Sequence, residues 1–102
     1  MIKVNTLYKW AERKLGPSKC KQIKFCNRKE LWYGEWDWDG TIRLNLRYIK
    51  SPTTLYRTLA HEWTHAQQTW REYKKWYNKI GYENNPLEIE ARKVERKLWY
   101  EI

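Results

Sequence analysis

Apolar positions along this chain recur with two different periods. Leu7, Trp10, Ala11 and Leu15 fall at helical spacing and predict a helix over residues 6–15. Asn5 or Thr6 can cap its start, and Gly16-Pro17 ends it. Residues 23–25 are a candidate short strand. Residues 31–38 are rich in aromatics and alternate in part, as strands do, and Asp39-Gly40 is a hairpin turn signal. Beyond the turn, residues 41–48 alternate well, with Ile42, Leu44 and Leu46 on one face and Arg43, Asn45 and Arg47 on the other. The pattern predicts a hairpin with one apolar face within a three-stranded antiparallel sheet.

The period then returns to that of a helix. Ser51-Pro52 is a cap followed by proline at the first helical position. Leu55, Leu59, Trp63, Ala66, Trp70 and Tyr73 or Tyr77 make one stripe, which predicts a single helix over residues 52–78. Residues 78–85, with Gly81 among asparagines, read as a loop. Asn85-Pro86 opens a last helix running almost to Ile102, with Leu87, Ala91, Val94 and Leu98 as its core stripe. No linker, repeat or low-complexity segment interrupts residues 1–102, so the expectation is one α+β domain.

Composition changes this picture in two ways. Eight Trp and eight Tyr stand against one Phe, so the core must be built largely from rings whose N–H and O–H groups need partners. The net charge of +9 is spread along the chain and favours acidic partners: nucleic acid, an anionic membrane surface or an acidic protein. The same charge also reads as an ordinary solvated basic surface with nonspecific attraction for nucleic acid. Cys20 and Cys26 lack zinc-knuckle spacing and read as ordinary thiols, a local disulfide or second metal role being the lesser alternative. The N-terminus lacks a signal-peptide layout and no apolar run reaches membrane-spanning length. The expectation is a soluble, cytoplasmic monomer with no membrane partner.

The chemistry concentrates in His61-Glu62-Trp63-Thr64-His65, an H-E-x-x-H sequence holding the only two histidines of the chain. Imidazoles at i and i+4 share a helix face and can reach one Zn²⁺, with the intervening glutamate beside the metal, where it can act on water. A catalytic zinc takes a third protein ligand. Without a third histidine, a carboxylate of the last helix is the natural candidate: Glu88, Glu90 or Glu95. Helical phase puts Glu88 and Glu90 on opposite borders of the apolar stripe and does not separate them, while Glu95 shares the side of Glu88. Both Glu88 and Glu90 also suit a helix N-terminus, where a carboxylate favours the macrodipole.

Followed by Glu90-Ala91 on a later helix, His61-Glu62-Trp63-Thr64-His65 resembles the gluzincin layout. Small phage and bacterial metallopeptidases of the ImmA/IrrE type carry a glutamate directly before an alanine on this helix. The resemblance covers residues 41–95. It implies a zincin-like fold in which an N-terminal helix and a small antiparallel sheet support the active-site helix. A C-terminal helix then carries the third ligand. It also implies zinc held by His61, His65 and Glu90, with residues 41–48 as the edge strand that binds extended peptide. The chain departs from the pattern at Val94, where many gluzincins have an aspartate or asparagine that orients a histidine. SprT-type proteases, which degrade proteins crosslinked to DNA, share the strand-helix context and basic character but use a third histidine.

The function these residues suggest is a zinc metallopeptidase acting on protein or peptide. Glu62 serves as general base towards a metal-activated water and then passes the proton to the leaving amine. Tyr77, Tyr82 and Arg92 lie in regions from which a side chain can meet the developing oxyanion. A second reading is a basic nucleic-acid-associated protein, with a structural zinc site or with protease action on DNA-bound proteins. Exposed Trp beside Lys and Arg can stack on unpaired bases. A third is an inactive zincin-like module that binds zinc and peptide without turnover.

Overall fold

The computed structural model describes residues 2–99, the side chains of Leu98 and Trp99 excepted. The first helix, α1 (Val4–Leu15), ends where Gly16 takes a φ of 89° that side chains resist. Lys3, not Asn5 or Thr6, occupies its cap position and makes no side-chain capping bond. Leu7 and Ala11 are its buried residues.

Three strands follow: β1 (Gln22–Cys26), β2 (Gly34–Trp36) and β3 (Thr41–Asn45). Their order is β1-β3-β2, with β3 antiparallel to β2 but parallel to β1. The sheet is therefore mixed, not antiparallel as the alternation suggested. The segment between β1 and β2 crosses from one edge of the sheet to the other, so β3 enters between them. The strand expected over residues 41–48 is accordingly the central strand, not an edge, and it ends at Asn45, with residues 46–48 in a turn; β2 is the edge strand beside α2.

The turn at Asp39-Gly40 forms as expected. Asp37 Oδ1 accepts from the backbone N–H of Asp39 at 2.8 Å and of Thr41 at 3.1 Å. Asn45, expected on a polar face, is fully buried. Its side chain accepts from the Arg28 backbone N–H at 3.0 Å and donates to the carbonyls of Arg28 and Trp32 at 3.1 and 3.0 Å. One buried amide, satisfied by loop backbone, thus fixes the segment leading into β2.

The long helix expected over residues 52–78 is two helices, α2 (Pro52–Ala66) and α3 (Trp70–Ile80). Ser51 caps α2 by accepting from the Thr54 N–H. Thr69 caps α3 by accepting from the Glu72 N–H, and Thr69-x-x-Glu72 is a capping-box sequence. The apolar stripe stops at the break: Leu59, Trp63 and Ala66 are wholly buried, whereas Trp70 and Tyr77 are each 51% exposed. The last helix is α4 (Pro86–Trp99); of its expected stripe Ala91 is buried, and Leu98 lies outside the described side chains.

The core gathers Leu7, Ile23, Ile42, Leu44, Leu55 and Trp63 between α1, the sheet and α2, while α4 lies along α2. Trp63 fills its centre. Its ring meets Tyr8 edge-on at 5.2 Å, and its Nε1–H donates to the Gly16 carbonyl at 2.9 Å. Among the described residues no helix is long and apolar enough to cross a membrane.

Trp63→Ala removes a wholly buried ring and the hydrogen bond it donates to the Gly16 carbonyl. It should cost about 3–5 kcal/mol in urea unfolding; a loss below about 1 kcal/mol would mean that this ring does not anchor the core.

Candidate metal centre

The core-facing and cleft-facing residues of α2 separate cleanly. Leu59, Trp63 and Ala66 point into the core, and this turns His61, Glu62 and His65 towards α4 and β2. His61 and His65 stand one turn apart with ring centroids 5.0 Å from each other. Opposite them, Glu88 lies in the first turn of α4, 3% exposed. The helix start that places it is fixed by Asn85, also buried. Its Oδ1 accepts from the Leu87 N–H at 3.0 Å, and its Nδ2–H donates to the Tyr73 carbonyl at 3.1 Å.

The two imidazole Nε2 atoms converge on one oxygen. His61 Nε2 is 3.1 Å and His65 Nε2 3.0 Å from Glu88 Oε1. The second oxygen, Oε2, accepts a short hydrogen bond from the Tyr73 hydroxyl. The outer imidazole nitrogens are held as well: His61 Nδ1 lies 2.8 Å from Glu95 Oε1, and His65 Nδ1 2.7 Å from Gln68 Oε1. Gln68 Nε2 donates to the Leu87 carbonyl at 3.0 Å, so its oxygen is the atom left to face His65. Glu95 is further paired with Arg57 at 3.6 Å and is an acceptor too.

These contacts orient the rings. Both Nδ1 atoms face acceptors and are placed to donate, so a ring carrying a single proton there presents its Nε2 lone pair inward. Two imidazole nitrogens and a carboxylate oxygen meet, all within 4.8 Å of one another. Such a set needs a positive charge between or upon its members, either protons or a metal ion.

The electrostatics follow from this geometry. Burial opposes charge on His61, but hydrogen bonds to Glu88 and Glu95 outweigh it and raise its pKa to about 10. Burial likewise opposes ionisation of Glu88, yet both histidines and Tyr73 hold its carboxyl well below the usual range. Burial raises Glu62, partly offset by His61 and His65. Among the described residues no hydrogen-bond donor reaches the Glu62 carboxylate. Tyr73 is pushed up by burial and by Glu88. Tyr82 rises to about 12 through burial and the carboxylates of Glu88 and Glu62.

A cleft of about 180 Å³ opens onto this cluster between β2 and α2. A second hollow of about 310 Å³, walled by Leu31, Trp32 and Tyr33, continues it past Glu62 and Tyr82. The edge strand comes very close to α2 here. A Cβ on Gly34 would lie 2.6 Å from Thr58 Cγ2 and 3.1 Å from Glu62 Cγ, so only glycine fits without displacement. Trp38, at the turn, adopts a φ of 67°, a left-handed conformation that is costly for a bulky residue. Its ring lies 5.2 Å from Tyr73 and 6.3 Å from His65, walling the cleft.

Of the residues singled out in the sequence, His61, Glu62 and His65 come together, and Glu90 does not join them. Glu90 is exposed; at about 100° per residue it lies ~200° around α4 from Glu88, so the two cannot face the same cluster. Ala91 is buried as the apolar stripe predicted, but the carboxylate that turns inward with it is three residues earlier, not the one directly before it that the resemblance implied. The histidine-orienting group left unassigned is Glu95, two turns beyond Glu88 and on its face. Tyr82 lines the cleft, whereas Tyr77 is exposed and Arg92 pairs with Glu83. Two site residues escaped the sequence reading: Gln68, which helical spacing alone places on the face of His65, and Tyr73, which a single helix over residues 52–78 assigns to the apolar stripe. No family model, curated protein or solved structure matches the chain.

Glu88→Ala should weaken zinc binding by more than about 100-fold in a chelator competition, and Glu95→Ala by about 10–100-fold through loss of the outer hydrogen bond. Glu90→Ala should leave zinc affinity unchanged; a loss matching that of Glu88→Ala would return the ligand role to Glu90.

The pKa shifts make a second prediction, for protein stripped by chelator. His61 keeps its proton to about pH 10 when folded, against 6.5 as its ordinary value, so its stabilisation is complete below pH 6.5 and lost as pH climbs to 10. Glu88, lowered from 4.5, stabilises above pH 4.5 and loses its contribution as pH falls. Urea midpoints should therefore fall on either side of a plateau between pH 4.5 and 6.5; no decline between pH 6.5 and 10 would contradict the His61 contacts.

Proposed function

We propose that this chain is a zinc-dependent peptidase of the minimal zincin type, in which His61, His65 and Glu88 hold the metal and Glu62 is the general base. The observation that carries the reading is the inward convergence of both Nε2 atoms and Glu88 Oε1, with each outer nitrogen fixed by its own acceptor. Neutral imidazoles oriented in this way, beside an ionised carboxylate, are the donor set that zinc prefers. When bound there, zinc would polarise a substrate carbonyl and lower the pKa of water.

The protein's own groups supply the rest. Glu62 borders the cleft with its pKa raised by burial, and no donor among the described residues reaches its carboxylate, which leaves it open to accept a proton. It takes the proton of the attacking water and delivers it to the departing amine. Tyr82 keeps its phenolic proton at neutral pH and faces the same cleft, from which it donates a hydrogen bond to the developing oxyanion. Tyr73 holds Glu88 by its outer oxygen, leaving the inner one towards the histidines. The edge of β2 beside Glu62 offers backbone groups to an extended peptide by strand addition.

A purely structural zinc site is less well supported. Such a site is closed by a fourth protein ligand. Among the described residues the cluster has three members, and the cleft opens onto it.

Glu62→Gln should retain zinc and the fold while lowering casein or peptide hydrolysis by at least about 1000-fold, and Tyr82→Phe should lower kcat by about 100-fold with KM little changed. Hydrolysis surviving in Glu62→Gln would refute the mechanism.

A further inference from the structure

The helix α3 has no buried residue, yet it carries a row of aromatic rings. Trp70, Tyr73 and Tyr77 repeat at helical spacing with nearly parallel planes. The first two rings are 6.3 Å apart and inclined by 17°, the next two 6.5 Å apart and inclined by 21°. Trp38 extends the row at 5.3 Å from Trp70. Tyr73 is turned inward to Glu88, but Trp70 and Tyr77 are half exposed. Packing uses part of each ring, Trp70 against Trp38 and Tyr73 and Tyr77 against Tyr73, and leaves the rest of both open to solvent.

The flank of the ladder is basic. Lys74 and Arg71 follow Trp70 and Tyr77 around the helix towards solvent, and Lys75 lies further round. Lys75 and Lys79 rest over the ring of Trp76 at 5.6 and 5.4 Å. Among the described residues neither Arg71 nor Lys74 has an ion-pair partner, and Glu72 is the one acidic residue of the helix.

We infer that this face of α3 binds single-stranded nucleic acid, bases stacking on Trp70 and Tyr77 and phosphates meeting Arg71 and Lys74. Exposed π-faces and unpaired cations side by side match a polymer that presents flat rings and regular negative charge together. A duplex hides its base faces, and an acidic peptide offers charge without rings to stack. Insertion into a lipid surface buries a continuous apolar face of Trp, Phe and Leu. Here the two half-exposed rings are flanked by Arg71 and Lys74, and Ile80 is the only aliphatic residue of the helix.

The test is fluorescence anisotropy of a labelled 15-nucleotide oligo-dT with the full chain, in chelator so that the result is independent of the metal centre. Binding should be micromolar at low salt and weaken steeply with added salt. Trp70→Leu/Tyr77→Leu keeps apolar area but removes the stacking faces, and with no buried residue on α3 it should not disturb the fold. It should weaken binding about tenfold or more. Arg71→Glu/Lys74→Glu should weaken it more than Lys9→Glu/Arg13→Glu, the same charge change on exposed positions of α1. Unchanged affinity in the leucine variant, or equal loss from both charge pairs, would reduce the effect to the overall +9 charge and overturn the proposal. Capture by phosphatidylserine vesicles without oligo-dT binding would overturn it in favour of a membrane surface.

Discussion

Glu88 is a carboxylate in the interior of a small protein, and its compensation organises everything around it. An ionised carboxyl out of water is costly unless every lone pair finds a positive or hydrogen-bonding partner. Here two imidazoles take one oxygen and a phenol takes the other. Each partner must in turn be held: His61 by Glu95, His65 by Gln68, and Tyr73 through its backbone carbonyl by Asn85. The contacts draw α2, α3, α4 and the turn between the first two into one network. A network so fully satisfied is rigid and intolerant of partial loss.

The same network explains which parts of the molecule were legible in the sequence. An i, i+4 histidine pair fixes its own geometry through the helical repeat, so His61, Glu62 and His65 required nothing beyond α2 itself. Glu88 against Glu90 was a matter of rotation about α4. That rotation is set by Asn85 at the helix start and by Ala91 against α2, which are tertiary facts. Glu88 and Glu95 are seven residues apart, two turns, so a search for a pair of carboxylates on one face would have favoured Glu88. The Glu-Ala resemblance pointed two residues further on, to Glu90 on the far side of α4, because it weighs local sequence without phase.

The remaining differences share a physical origin. Apolar periodicity ran through residues 67–69 because Trp and Tyr serve surfaces as readily as cores, and the Trp70 and Tyr77 rings kept the stripe alive. The capping sequence Thr69-x-x-Glu72 was the contrary signal, a local chain reversal written in polar residues. Alternation in residues 41–45 is the same whether neighbours run parallel or antiparallel, so β1 could not be oriented from sequence. Asn45 reads as a solvent-facing residue by alternation, but its amide is consumed by the backbone of residues 28–32. Side-chain polarity predicts burial poorly when the partner is a loop.

Charge is segregated in this chain to a degree that composition conceals. The molecule is strongly basic, yet Glu35, Glu62, Glu88 and Glu95 line the hollows at the candidate metal centre and, among the described residues, no lysine or arginine does. The interior charge is the sign a divalent cation requires, and the exterior charge is the sign a polyanion requires. An anionic polymer drawn to the outside would be repelled from the cleft itself. The candidate metal centre and the proposed nucleic-acid face can therefore share a small domain without competing for one surface, the aromatic row of α3 forming the border between them. Tyr73 belongs to both sides of that border, one edge of its ring in the row and its hydroxyl on Glu88.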